Sequence, residues 1–292
     1  MDDDWDTLAQ HISDSSKKSF SIKNRRSING GCINKAMVLE DGPRCYFVKQ
    51  NAAARLAMFE AEAKGLQEIA RSHSVRVPQP LCWGKNKNFA YLVLEYIAIE
   101  AINSHGMQQL GFQLAQMHRI TRAQFGWDTD NTIGSTPQTN TPSPNWVNFW
   151  RENRLGFQLE LAGQNGRSLN RKGERLLADL EKFFQGYSPA PSLLHGDLWG
   201  GNAGSFQRQP VIFDPAVYYG DREADLAMTE LFGGFSAAFY RAYEDAWPLD
   251  AGYRVRKTLY NLYHILNHFN LFGGGYASQA ERMMDSLLSE LR

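Results

Sequence analysis

Apolar positions along this chain follow two rhythms, and the change from one to the other divides it. Trp5, Leu8, Ala9 and Ile12 recur at helical spacing behind Asp2, Asp3 and Asp4, whose charges suit a helix amino terminus, so the chain should open with a packing helix. Three runs with strand character follow, at Ile22 to Ile28, Lys35 to Leu39 and Cys45 to Lys49, with Asp41-Gly42 as the turn between the last two. The helical rhythm returns from Ala52 to Arg71, where Leu56, Phe59, Ala63, Leu66 and Ala70 share a face. Pro78-Gln79-Pro80 stops it, and the runs Leu81 to Gly84 and Phe89 to Ile97 supply two more strands. FAYLVLEYI is almost wholly apolar, as a strand covered on both faces should be.

Beyond residue 97 the pattern turns helical. Met107, Leu110, Leu114 and Met117 form a stripe that ends at His118, which reads as a core or capping histidine. Thr121 to Pro144, rich in Thr, Asn, Pro and Gly, is long for a connector and suggests a substrate or docking loop. Trp146 to Ala162 and Ser168 to Phe184 read as amphipathic helices, and Tyr253 to Phe272 as a long aromatic one. Its His264 and His268 stand four apart, but the glutamate of H-E-x-x-H is missing, so packing or contact with an acceptor molecule is favoured over zinc.

The chemistry concentrates between Leu193 and Asp225. His195-Gly196-Asp197 follows an apolar pair, and Asn202 stands at the D-x-x-x-x-N spacing of a kinase catalytic loop. Val211, Ile212 and Phe213 then read as a buried strand ending in Asp214, a position from which a carboxylate holds magnesium between ATP phosphates. Magnesium prefers hard oxygen ligands and retains waters, so Asn202 and Asp214 suffice as its protein ligands. Asp197 stays free to take a proton from an acceptor hydroxyl. Asp225, in DREADLAM, should cap backbone donors at a helix start or brace the catalytic loop.

Upstream residues complete the reading. Val48-Lys49 ends a strand as the phosphate-contacting kinase lysine does, and of Glu60 and Glu62 the second leans nearer the buried edge and is the preferred partner for Lys49. Gly30 and Gly31 form a hairpin turn that in this context becomes a nucleotide loop. The main chain of Glu95, Tyr96 and Ile97 should meet adenine where the two lobes join. The fold expected is α+β and bilobal: residues 1–97 as a small antiparallel β-sheet lobe with one key helix, binding nucleotide, and residues 98–292 as a larger, mostly helical lobe for catalysis and acceptor binding.

With 292 residues, 43% of them apolar, the chain can bury a substantial core without staples. Its 31 acidic and 31 basic residues balance, so no global attraction to nucleic acid or to a membrane surface is expected. No apolar run approaches the ~20 residues of a membrane span. Three cysteines without paired spacing argue against a disulfide framework or a zinc site and suit a reducing cytoplasm. Cys45 and Cys82 read as inert. Cys32 follows the two glycines among cations, so it is a redox candidate, with a disulfide between two protomers of a homodimer as one outcome.

Across nearly its whole length the chain resembles the fructosamine kinase (ketosamine 3-kinase) family, a branch of the protein-kinase-like fold that also holds aminoglycoside and choline kinases. The resemblance rests on SINGGCINKA, YFVK, FGWDTDNTIGSTPQTN, NWVNFWRENRL, HGDLWGGN, DREADLAM and NLYHILNHFNLFGGGY. It implies ATP- and magnesium-dependent phosphorylation of the sugar 3-hydroxyl of a ketoamine, free or protein-bound, which destabilises the glycation adduct and repairs the amine. Carried over residue by residue, Asp197 is the base, Asn202 and Asp214 hold the metal and Lys49 meets the phosphates. Trp199 and His268 are candidate acceptor contacts, because aromatic faces suit the carbon-hydrogen faces of a sugar. Another small-molecule kinase would keep Asp197, Asn202 and Asp214 without the Trp199 and NTIG context. A non-catalytic nucleotide sensor is disfavoured, since every catalytic position is filled.

Overall fold

Strand parity determines what each face of the amino-terminal sheet meets, and so where Lys49 points. The computed structural model describes residues 2–28, 33–164 and 169–291. Helix α1 (Asp2–Ser16) precedes β1 (Asn24–Ile28), β2 (Lys35–Glu40) and β3 (Cys45–Ala52); α2 (Leu56–Arg71) and the strands β4 (Pro80–Lys85) and β5 (Phe89–Glu95) follow. The five strands form one antiparallel sheet in the order β1-β2-β3-β5-β4. Leu8 and Ile12 of α1 cover one face, against Val48, Tyr91 and Val93. Phe59, Leu66 and Ile69 of α2 cover the other, against Ala90, Leu92 and Leu94. Lys49 lies directly opposite Leu92 in the ladder and therefore shares the α2 face.

The remainder is mostly helical. After α3 (Ser104–His118), the stretch expected to be a free loop contains a small hairpin, β6 (Asn131–Ile133) and β7 (Thr136–Gln138). The single helix expected at Trp146 to Ala162 is interrupted: α4 (Trp146–Trp150) widens into a π turn at Arg151–Gly156 before α5 (Phe157–Gln164). Gly156 permits this, because a Cβ there would collide with Arg151 O. Next come α6 (Asn170–Ala178), a 3-10 turn at Leu180–Phe184, β8 (Ser192–Leu194), β9 (Ala203–Phe206), β10 (Gln209–Ile212) and β11 (Tyr218–Gly220). The β9–β10 hairpin is nested between β8 and β11, which pair with each other, so His195 to Asn202 and Phe213 to Val217 are neighbouring loops.

The chain closes with α7 (Arg222–Glu230), α8 (Ala237–Ala246), α9 (Tyr253–Phe272) and α10 (Tyr276–Glu290). The amino-terminal cap of α7 is Asp221, whose carboxylate accepts from Glu223 N–H at 3.0 Å. That corrects half of the reading of Asp225, which sits one turn inside the helix. α3 packs along α8, and α7 and α10 both pack on α9. Among the described residues no helix is long and apolar enough to cross a membrane.

Candidate active site

The segment after β8 is held from behind by one carboxylate. Asp225 Oδ2 accepts from His195 N–H at 2.7 Å and Asp225 Oδ1 from Gly196 N–H at 2.8 Å. His118 Nε2 donates to Oδ2 at 3.1 Å, and His118 Nδ1 accepts from Tyr243 Oη at 2.8 Å. Burial lowers the His118 pKa, consistent with the neutral ring this pattern requires. Burial would raise the Asp225 pKa, but the bonds it accepts from His118 and from Gly196 N–H hold it below the ordinary carboxylate range. Gly196 has φ +82° and lies so near Ala216 O that a Cβ would collide with it, so glycine is required there on both counts.

His195 joins the two loops. Its Nδ1 accepts from Asp197 N–H at 3.3 Å, which leaves Nε2–H to donate to Phe213 O at 3.0 Å, and burial keeps the ring neutral by lowering its pKa. Phe213 N–H in turn donates to Asn202 O at 3.0 Å. The next residue, Asp214, is held at φ +57°, a left-handed conformation uncommon outside glycine, aspartate and asparagine. Two loops 11 residues apart in sequence are thus fixed side by side through main-chain atoms (Asn202 to Phe213).

Asn202 donates to Asp197 O at 2.9 Å and reaches Asp197 Oδ2 at 3.4 Å. Burial and the carboxylates of Asp214 and Asp225 push Asp197 up to about 7, a value suited to a proton acceptor at neutral pH. From the amino-terminal sheet, Lys49 Nζ donates to Glu62 Oε1 at 2.7 Å and to Asp214 Oδ1 at 2.6 Å. Lys49 is buried, yet the two carboxylates more than offset its desolvation and hold it charged, well above the usual lysine range. Glu60 pairs with Lys64 at 3.2 Å instead, on the exposed side of α2. Residues from β3, α2 and the loop after β10 therefore converge on a single ammonium.

Other expected site residues fall around this centre. β5 ends at Glu95, whose N–H donates to Gln79 O at 2.8 Å and whose side chain takes Arg76 at 2.6 Å. Tyr96 Oη accepts from Arg26 at 3.4 Å, and Ile97 is buried. Gly30, Gly31 and Cys32 lie outside the described residues. Burial raises the thiol pKa of Cys45 and pushes that of Cys82 up to about 11, as suits inert strand residues.

Trp199 and His268 each pack against a third ring. The ring of Phe232 bridges them, at 6.2 Å from Trp199 and 4.7 Å from His268. His268 Nδ1 donates to His264 O at 2.8 Å, and burial lowers its pKa, so a neutral ring presents Nε2 as an acceptor. His264 is buried and pushed down to about 3, chiefly by desolvation. Sequence reading missed Phe232, although an aromatic residue just before Gly233-Gly234 was the available signal of a tight turn that presents a ring. The hairpin of residues 131–138 turns its polar groups inward: Asn131 donates to Val217 O at 2.7 Å, Gln138 to Ala216 O at 3.2 Å, and Tyr263 Oη to Gln138 Oε1 at 2.7 Å. It props the loop before β11 from behind, and its tip at Gly134 faces Leu271 and Ile33.

The family model described as "Fructosamine kinase" matches residues 4–290. A Synechocystis protein named "Probable ketoamine kinase" is 49% identical over 292 residues, covering 97% of each chain. The chloroplastic protein-ribulosamine 3-kinase of Arabidopsis thaliana is 44% identical over 282 residues, covering 94% of this chain and 86% of that protein. A solved Haemophilus somnus structure that carries a fructosamine-3-kinase name superposes with a TM-score of 0.91 at 29% identity, covering 98% of each chain.

Proposed function

The chain belongs to the fructosamine kinase family, and on that premise we propose that it transfers the γ-phosphoryl group of ATP to the 3-hydroxyl of a ketoamine of the fructosamine or ribulosamine type. The observation that carries the reading is that Lys49, Glu62 and Asp214 meet, while Phe213 ties the loop of Asp214 to the loop that holds Asp197 and Asn202. Asp197 takes the proton of the acceptor hydroxyl as its oxygen forms a bond to the γ phosphorus; the bond from that phosphorus to the bridging oxygen breaks, and ADP leaves. Lys49, kept charged by Glu62, turns from Asp214 toward the α and β phosphates. The nucleotide loop of Gly30 and Gly31 and the main chain of Glu95, Tyr96 and Ile97 hold the rest of ATP.

The donor set fits magnesium, because the Asp214 carboxylate and the Asn202 amide oxygen are hard ligands on adjacent loops. When bound, the ion would neutralise charge on the transferring phosphates. Asp214→Ala removes a ligand and also frees Lys49, so magnesium-dependent ATP affinity should fall by about tenfold or more, the order expected when one charged contact is lost. Titration of the variant with ATP at several magnesium concentrations measures this, and an unchanged magnesium dependence would remove Asp214 from the site.

The acceptor lies over Trp199 and against Nε2 of His268, and is a free or a protein-bound ketoamine; unpaired Cys45 and Cys82 suit work in a reducing cytoplasm. Trp199→Ala should raise the ketoamine KM by about five- to tenfold, from loss of ring contact worth ~1 kcal/mol, while the KM for ATP changes little. Equal effects on both constants would make Trp199 a packing residue. The function itself is tested by following phosphate transfer across ketoamines that differ only in sugar length. No transfer to any of them would overturn it.

A further inference from the structure

Trp199, two residues after Asp197 in the chain, begins a row of aromatic contacts. Phe232 follows, then the half-buried His268, then Phe272 at 5.7 Å from His268; Trp199, Phe232 and Phe272 are 37%, 41% and 54% exposed. Large rings left open to water in a row mark a binding surface, because burial would otherwise stabilise the fold more. Phe232 also has φ +55°, where a bulky residue is strained, and Gly233 and Gly234 continue the turn at φ +106° and +74°. Such strain persists only where the surrounding structure imposes it, and here the turn presents a phenyl ring beside the acceptor site.

We propose that Phe232, with Phe272 beyond it, forms a subsite for the nitrogen-bearing arm of the acceptor: the secondary ammonium of the ketoamine and the alkyl stem of the lysine that carries it. This rests on the reading of the acceptor as a ketoamine. With the sugar over Trp199, the nitrogen attached to its first carbon is carried to the next ring of the row. A dialkylamine is protonated at neutral pH, and the faces of aromatic rings attract cations. The His268 ring, which contacts both phenyl rings, is neutral and does not repel it. Glu230, two residues before Phe232, is already taken by Lys257 and by Tyr253 at 2.7 Å, so the rings rather than a carboxylate meet the cation. Because Phe232 and Phe272 are both exposed, the arm lies along open surface and a lysine within a polypeptide can enter.

The test compares a peptide bearing a lysine-linked ketoamine with the same peptide N-acetylated at the ketoamine nitrogen, which removes the charge. Wild-type enzyme should prefer the amine, and Phe232→Ala should raise its KM about tenfold, the upper part of the range for a cation lifted off a ring, and narrow the preference by a similar factor. Phe232→Leu, which keeps apolar bulk without a π face, should resemble Phe232→Ala, while Phe232→Tyr should stay within about twofold of wild type. Phe272→Ala, at an exposed position on α9, provides a second variant with little risk to folding and should shift the preference in the same direction. The subsite is overturned if Phe232→Leu restores the KM, or if the variants leave the preference as in the wild type. If wild-type enzyme phosphorylates neither peptide nor any free ketoamine, the reading of the function fails and the subsite falls with it; transfer to ketoamines with an unshifted preference overturns the subsite alone.

Discussion

Asp197→Asn should fold, bind ATP and turn over roughly 10²- to 10⁴-fold more slowly, which is about 3 to 5 kcal/mol of lost transition-state stabilisation. The amide keeps the size of the side chain and its place beside Asn202, but cannot take the acceptor's proton. Phosphoryl transfer also draws on positioning and on cationic stabilisation from Lys49, so a residual rate should remain. The same variant should be more stable than the wild type above neutral pH. Burial and two neighbouring carboxylates push Asp197 up to about 7, so the folded protein binds this proton more tightly than the unfolded chain does. Ionising it therefore costs stability, and the cost grows as pH rises from the unfolded carboxylate's range through 7. Asparagine avoids that cost, and the gap in melting temperature between variant and wild type should widen from pH 5 to pH 8 in the absence of nucleotide. Near wild-type turnover in a folded variant would remove Asp197 from its role, and a gap independent of pH would show that its carboxyl is not held protonated.

The local chemistry was legible in the sequence, because spacing alone sets Asp197 and Asn202 on one short loop and Asp214 at the end of a strand. The end of a strand marked Lys49, and the buried edge of the following helix favoured Glu62 over Glu60 as its partner, which the structure shows. What remained hidden depends on contacts between distant segments. Nothing in DREADLAM distinguishes a helix-opening aspartate from one a turn further in, and it is the fold that makes Asp221 the cap and turns Asp225 onto the His195 and Gly196 amides. The run from Thr121 to Pro144 has the composition of a loop, yet Asn131 and Gln138 face inward because the main-chain carbonyls of Ala216 and Val217 need donors. The π turn at Arg151–Gly156 was likewise invisible to a search for a 3.6-residue period, which passes smoothly over one extra residue. Phe232 escaped because its role is set by its neighbours Trp199 and His268, which come from other parts of the chain.

Asp225→Ala should damage both the fold and the reaction, although Asp225 touches neither ATP nor the acceptor. The substitution leaves His195 N–H, Gly196 N–H and His118 Nε2–H without their common acceptor, and His195 and His118 are fully buried. A buried donor left unpaired costs about 1 to 3 kcal/mol, and the three share one site, so the total should be about 3 to 5 kcal/mol rather than their full sum. For a chain of this size that corresponds to a fall in melting temperature of roughly 6 to 10 °C. Asp225→Asn should fare little better, since its amide group must point one N–H at a donor that needs an acceptor. Because the lost bonds fix His195 and Gly196, the loop carrying Asp197 loosens, and kcat should fall more than the KM for ATP rises. The contribution of Asp225 depends on its charge: its pKa is depressed, so the stabilisation is present above the ordinary carboxylate range and is lost only as pH falls through its own lower value. The difference in melting temperature between wild type and Asp225→Ala should thus stay constant from pH 6 to pH 8 and shrink in strong acid. A variant that melts within 2 °C of the wild type (about 1 kcal/mol at most) would show that water replaces the carboxylate, and that the loop is held mainly by the β8–β11 ribbon.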